Sequence, residues 1–143
     1  MKIFYFLNII CFLVIEPSFS QPGQTPVKLE FITQIPPVLT GCLGLYTYDT
    51  TSLQRKSYIM VSNLQELAFI KVGGHEIKLA EENHKKLSNS MFRITYKAGE
   101  YIVILITKTG NEVGAMSTER GTIEVIKGNT RKVFKIHGEA GCK

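Results

Sequence analysis

From Cys42 onward, apolar and polar positions alternate in short runs separated by turn residues, a period-two pattern that predicts half-buried β-strands. The runs are Leu43 to Tyr48, Ser57 to Ser62, Leu67 to Val72, His75 to Leu79, Met91 to Lys97, Tyr101 to Thr107, Val113 to Ser117, Thr122 to Ile126 and Thr130 to His137. Between them lie a polar turn at Asp49-Thr50-Thr51-Ser52, then Gly73-Gly74, Gly99-Glu100, Gly110-Asn111 and Gly128-Asn129. A two-residue glycine loop between apolar runs predicts a hairpin, because primed turns need positive φ. In Met91 to Lys97 one face carries Phe92, Ile94 and Tyr96, and the other Arg93, Thr95 and Lys97. Tyr101 to Thr107 is apolar on both faces, with Ile102, Ile104 and Ile106 against Val103 and Leu105, so it is expected to be central and covered. Only Ala80 to Ser88 breaks the rhythm: Glu81-Glu82 and Lys85-Lys86 suggest one helical turn or a solvated loop. The pattern predicts an all-β domain, a small antiparallel barrel or sandwich of about seven to eight strands.

Ahead of this domain the chain has a different character. Met1-Lys2 precedes an apolar run from Ile3 to Ile15 that only Asn8 interrupts; Glu16-Pro17 ends it and Ser18-Phe19-Ser20 follows. This is the layout of a secretory signal peptide over residues 1–20, with cleavage expected after Ser20. The run falls short of the roughly 20 apolar residues a spanning helix needs. Cys11 lies inside the apolar run with Ile10 before it, which does not suit acylation, and it is expected to leave with the signal. Residues 21–41 read as a leader or tether: a loose Gln-Pro-Gly-Gln-Thr-Pro start, then Val27 to Ile35, which is either one strand or more tether before Pro36-Pro37. The domain itself is placed at 42–142.

Cysteine arithmetic follows from export. With Cys11 removed, Cys42 and Cys142 remain, and an even count in an exported chain predicts one disulfide. The bond closes a loop of about 100 residues, for which chain entropy sets an upper value of roughly 4.7 kcal/mol. Neither cysteine has a second metal ligand at close spacing. The formal net charge of +5 survives cleavage, because Lys2 and Glu16 leave together. Outside the cytoplasm a basic protein meets envelope polymers, lipid surfaces or acidic proteins. Here the charges are scattered, and solubility accounts for most of them.

No catalytic constellation emerges, and the protein is not expected to be an enzyme or to use a cofactor. The histidines His75, His84 and His137 do not converge by spacing; Glu81 and His84 would share a face only in a helical turn, and no metal site is expected. There is no Gly-x-Ser-x-Gly elbow and no distinctive carboxylate pair. Gly73-Gly74 joins two strands and no helix follows it, so it is no phosphate loop. Lys127, Arg131, Lys132 and Lys135 surround Phe134, a pattern that suits single-stranded nucleic acid; alternation assigns these lysines to a wet face, and an exported chain is not expected to meet nucleic acid. The absence of an Asn-x-Ser/Thr acceptor favours a bacterial envelope, periplasmic or extracellular.

Residues 42–142 resemble a group of small exported, uncharacterised β-rich proteins of Bacteroidetes-type bacteria. The resemblance rests on Ala68-Phe69-Ile70-Lys71-Val72-x-Gly74 and Gly138-Glu139-x-Gly141-Cys142. Those proteins often carry an extra cysteine near each end, which this chain lacks. A looser resemblance is to the periplasmic inhibitors of C-type lysozyme, which are disulfide-closed eight-stranded barrels. Ser88-Asn89-Ser90-Met91-Phe92-Arg93 with Tyr96, and Lys108-Thr109-Gly110-Asn111-Glu112, are similar to their two inhibitory loops, although the glycines of the first loop are missing and Met91-Phe92 breaks its pattern. That likeness makes Ser88, Ser90, Arg93 and Lys108 a candidate interaction loop, with Ser90 and Lys108 as the residues to test.

The expected function is a non-enzymatic binding or interaction module for an unknown protein or envelope ligand. Two alternatives stand beside it: an inhibitor of a lysozyme-type hydrolase, which calls for a solid barrel with protruding loops, and a small apolar-ligand carrier, which calls for a deep apolar cavity.

Overall fold

A computed structural model describes residues 25–142. Eight antiparallel strands form a closed barrel in simple meander order. They are β1 (Cys42–Thr47), β2 (Met60–Ser62), β3 (Leu67–Val72), β4 (His75–Lys86), β5 (Met91–Ala98), β6 (Tyr101–Val113), β7 (Met116–Lys127) and β8 (Thr130–Cys142). β8 returns to pair with β1 along its last six residues, His137 to Cys142, which closes the sheet. Closure is what a sheet of this size gains most from, because unpaired edges invite association. One five-residue helix, α1 (Thr50–Gln54), joins β1 to β2; Asp49 caps it by accepting the Ser52 N–H at 2.7 Å. The polar run expected as a simple turn is thus the start of a helical turn, since Asp at an N-cap satisfies an otherwise orphan donor.

Inward positions fill the barrel. Met60, Ile70, Leu79, Val103, Leu105 and Ile123 are fully buried and belong to one cluster. The segment ahead of β1 completes that cluster. Val27 and Leu29 lie across the end of the barrel that carries the Gly73-Gly74, Gly99-Glu100 and Gly128-Asn129 hairpins, here called the closed end. Three polar contacts hold this plug: Tyr48 Oη donates to the Leu29 carbonyl at 2.8 Å, Glu30 N–H to the Lys71 carbonyl at 2.8 Å, and Gly74 N–H to Glu30 Oε1 at 2.9 Å. Both turn glycines beside it have positive φ, 59° and 79°, as the Gly-Gly hairpin requires. The segment then crosses the outer wall, where Ile32 and Leu39 cover Leu45, Val61 and Phe69 of β1 to β3. Its backbone pairing with the barrel is one bridge, Ile32 with Tyr58, rather than a strand.

Four local expectations are corrected. Ala80 to Lys86 is neither helical turn nor loop: β4 runs on through it, with a bulge between Glu81 and Asn83. The β3–β4 pairing stops at Leu67 with Ala80, and most of the stretch beyond is wet, so no alternation marks it as strand. Gly110-Asn111 is a break in pairing inside β6 rather than a hairpin turn. The turn lies at Gly114-Ala115, within the run expected as the strand Val113 to Ser117. Finally, β6 is covered on its inner face only: Val103 and Leu105 are fully buried, whereas Ile102, Ile104 and Ile106 form a half-exposed outer ladder.

Cys42 and Cys142 are bonded, as expected. Such bonds persist in oxidising compartments, which is consistent with export. The signal-peptide residues 1–20, Cys11 among them, lie outside the described residues.

Candidate functional site

The interior changes character along the barrel axis. Toward the end opposite the plug, called the mouth, inward positions turn polar: Tyr46 on β1, Ser62 on β2, Glu81 on β4, Tyr96 on β5, Thr107 on β6 and Glu119 on β7. Glu119 is 5% exposed. Its Oε1 accepts the Thr109 hydroxyl at 2.8 Å. Its Oε2 makes no hydrogen bond of acceptable geometry within the protein, and neither do Ser62 Oγ, Tyr96 Oη or Glu81 Oε2, all of them buried atoms. More than nine in ten buried polar groups find partners, which sets this layer apart from the apolar interior below it.

The backbone is shaped around this layer. Gly44 lies beside it because a Cβ there would stand 2.7 Å from Tyr46 Oη and 2.8 Å from Ser62 Oγ. The β2–β3 turn is organised by Asn63, whose Oδ1 accepts the N–H groups of Gln65, Glu66 and Leu67 at 3.2, 3.0 and 2.9 Å. That wrap holds Leu64 at φ 56°, a left-handed conformation that costs a non-glycine residue about 1–2 kcal/mol. Such strain concentrates at functional sites, and Leu64 lines the mouth.

A cavity of about 200 Å³ opens here. Leu64, Phe92, Ile94 and Ala140 supply apolar walls; Glu119 and Tyr46 supply polar groups. His84 is at the rim, with Nδ1 3.6 Å from Glu81 Oε1 and its ring edge-on to Phe92. Burial pushes the Glu119 carboxyl above the ordinary carboxylate range, and the Thr109 hydrogen bond partly opposes it. Burial likewise holds the Tyr46 and Tyr96 phenols far up, reinforced by Tyr96 and Glu119 around the first and by Glu81 around the second. Both phenols stay protonated at any physiological pH and can act as donors. The set offers acceptors and donors but no nucleophile hydrogen-bonded to a histidine base among the described residues. Nor do three or more His, Cys, Asp or Glu side chains there gather as a metal site.

The residues picked out in the sequence sit elsewhere. Ser88 and Ser90 form the β4–β5 hairpin, where Ser90's carbonyl accepts the Thr109 N–H at 2.8 Å. Arg93, opposite Ile106, and Lys108, opposite Met91, project from the outer wall. The segment from Lys108 to Glu112 is strand and bulge rather than a loop. Sequence reasoning missed Glu119, although a signal existed: it shares its parity on β7 with Ile123 and Val125, so a carboxylate occupies a position the pattern assigns to the interior. Comparison with family models, with curated proteins and with solved structures returns no match.

Proposed function

We propose that this protein is an exported, non-enzymatic binding module that takes a small molecule into the mouth of its barrel. Export rests on the signal-like N-terminus and the disulfide. The binding reading is carried by the unpartnered Oε2 of Glu119, buried beside apolar walls. Drug-sized ligands occupy roughly 300–1,000 Å³, so a cavity of about 200 Å³ suits something smaller. Its chemistry calls for a compact apolar body that packs on Phe92 and Ile94, with a hydrogen-bond-donating head, an amine or hydroxyl, directed at Glu119. The test is ligand-detected NMR with small alkyl amines and alcohols on the oxidised protein. Saturable binding that is lost in Glu119→Gln and in the mouth-filling Ala140→Trp supports the reading. Binding that survives both variants, or none at all, overturns it.

A second reading, inhibition of a lysozyme-type hydrolase, draws on the opposite feature of the same end. β4 continues from Glu81 to Lys86 past β3, and the β4–β5 and β6–β7 hairpins expose Leu87 and Val113 at their tips. Apolar tips beside Ser88 and Ser90 suit contact with a protein. Here lysozyme activity falls on adding the protein, and the fall is relieved by Ser90→Trp; unchanged activity at micromolar excess removes this reading.

A further inference from the structure

A second feature lies on the outer wall, and it borders the mouth through Thr109 and Glu119. Lys108, Arg120 and His137 stand directly opposite one another on three adjacent strands, β6, β7 and β8. Lys108 and Arg120 are exposed, and His137 is half-buried. Like charges placed directly across a ladder destabilise the pair. Among the described residues, neither Lys108 nor Arg120 forms an ion pair. Asp49, held by Ser52, lies toward His137, so it offsets that end of the row only. The two opposed cations are left without an ion-pair partner among the described residues.

Beside them the sheet is opened. Pairing between β6 and β7 shifts between Thr109 and Glu112, so Gly110 and Asn111 leave the ladder. Bulges of this kind are over-represented beside functional sites, where they re-aim side chains. The bulge, the Lys108–Arg120–His137 row and α1 together enclose a groove of about 500 Å³, lined by these three residues with Asn111, Thr118 and, at its inner side, Glu119, whose Oε1 is taken by the Thr109 hydroxyl. Thr118 Oγ1 is turned to the Asn111 carbonyl at 3.2 Å, which fixes the bulge next to the row.

We propose that this groove binds an oxyanion, the phosphate or sulfate monoester group of a soluble small molecule. Arg120 supplies a planar fork of donors suited to two oxygens, Lys108 a point charge, and His137 a ring N–H. The bound group neutralises the opposed pair that the fold leaves bare. Arg93 is the natural control, an exposed cation on the same wall that does not line the groove.

The experiment is an NMR titration of the oxidised protein with inorganic phosphate, inorganic sulfate and an alkyl phosphate, each against sodium chloride at matched ionic strength. Expected are saturable shifts confined to Lys108, Gly110, Arg120 and His137, with affinity reduced about tenfold or more in R120Q and in K108Q and unchanged in R93Q. Shifts that sodium chloride reproduces would overturn the proposal, as would equal weakening in R93Q. So would retention by phosphatidylglycerol vesicles without any response to the soluble anions. Thermal melts of the three variants separate loss of the site from loss of the fold: a variant that melts with wild-type cooperativity and still binds phosphate normally also counts against it.

Discussion

Cys42 and Cys142 face each other directly across the β1–β8 ladder, at its last pair. The disulfide therefore lies on the seam that turns a meander into a barrel. Only the first and last strands meet there, and every residue between them belongs to the loop being closed. Replacing both cysteines by serine is expected to cost about 2–5 kcal/mol. Urea denaturation of the two forms measures it. Equal midpoints would mean that backbone pairing alone holds the seam.

Glu119 ties stability to pH. Burial raises its carboxyl above the unfolded value, so the fold favours the protonated form. Its stabilising contribution is complete below the ordinary carboxylate range and is lost as pH rises through the raised value. Glu119→Gln keeps the Thr109 hydrogen bond and removes the charge. It is expected to be more stable than wild type at neutral pH by about 1–2 kcal/mol, with the gap closing in acid. A gap that stays constant from acid to neutral pH contradicts this.

The plug is predicted to matter as much as a strand. Leu29 is 2% exposed and belongs to the barrel's own core cluster. Leu29→Ala should cost about 2–5 kcal/mol, the range for truncating a buried leucine. Val38, half-exposed on the same segment, is the contrast: Val38→Ala should fall within about 0.5 kcal/mol of wild type. Chemical denaturation of the two variants, side by side, reads the difference.

Gly44→Ala tests the shape of the mouth. The added Cβ would press on Tyr46 Oη, Ser62 Oγ and Leu64. Overpacking of this kind costs about 1–3 kcal/mol. The near-ultraviolet tyrosine signal should change with it, because Tyr46 must move. A variant of wild-type stability and spectrum would show that the polar layer is loosely packed.

Much of the fold was legible because its strands are wet on one face and dry on the other. Phe92, Ile94 and Tyr96 against Arg93, Thr95 and Lys97 is the clearest case, and those residues do form β5. Legibility failed where that contrast failed. Beyond Ala80 most of β4 meets water, and a bulge then shifts its phase. On β6 the outer isoleucines imitate a covered strand. The mouth was hidden for another reason. Its polar layer comes from six strands far apart in sequence, and only closure of the barrel brings Tyr46, Ser62 and Glu119 together.

The plug also gives the barrel a polarity that an experimenter can use. Thr25 enters at the closed end, where it borders a crevice with Tyr48 and Phe134, while the mouth opens at the other. A surface linkage made at Thr25 therefore attaches the barrel by its back and turns the mouth toward solvent. A linkage made on the β4–β5 hairpin, at the mouth end, turns it toward the support.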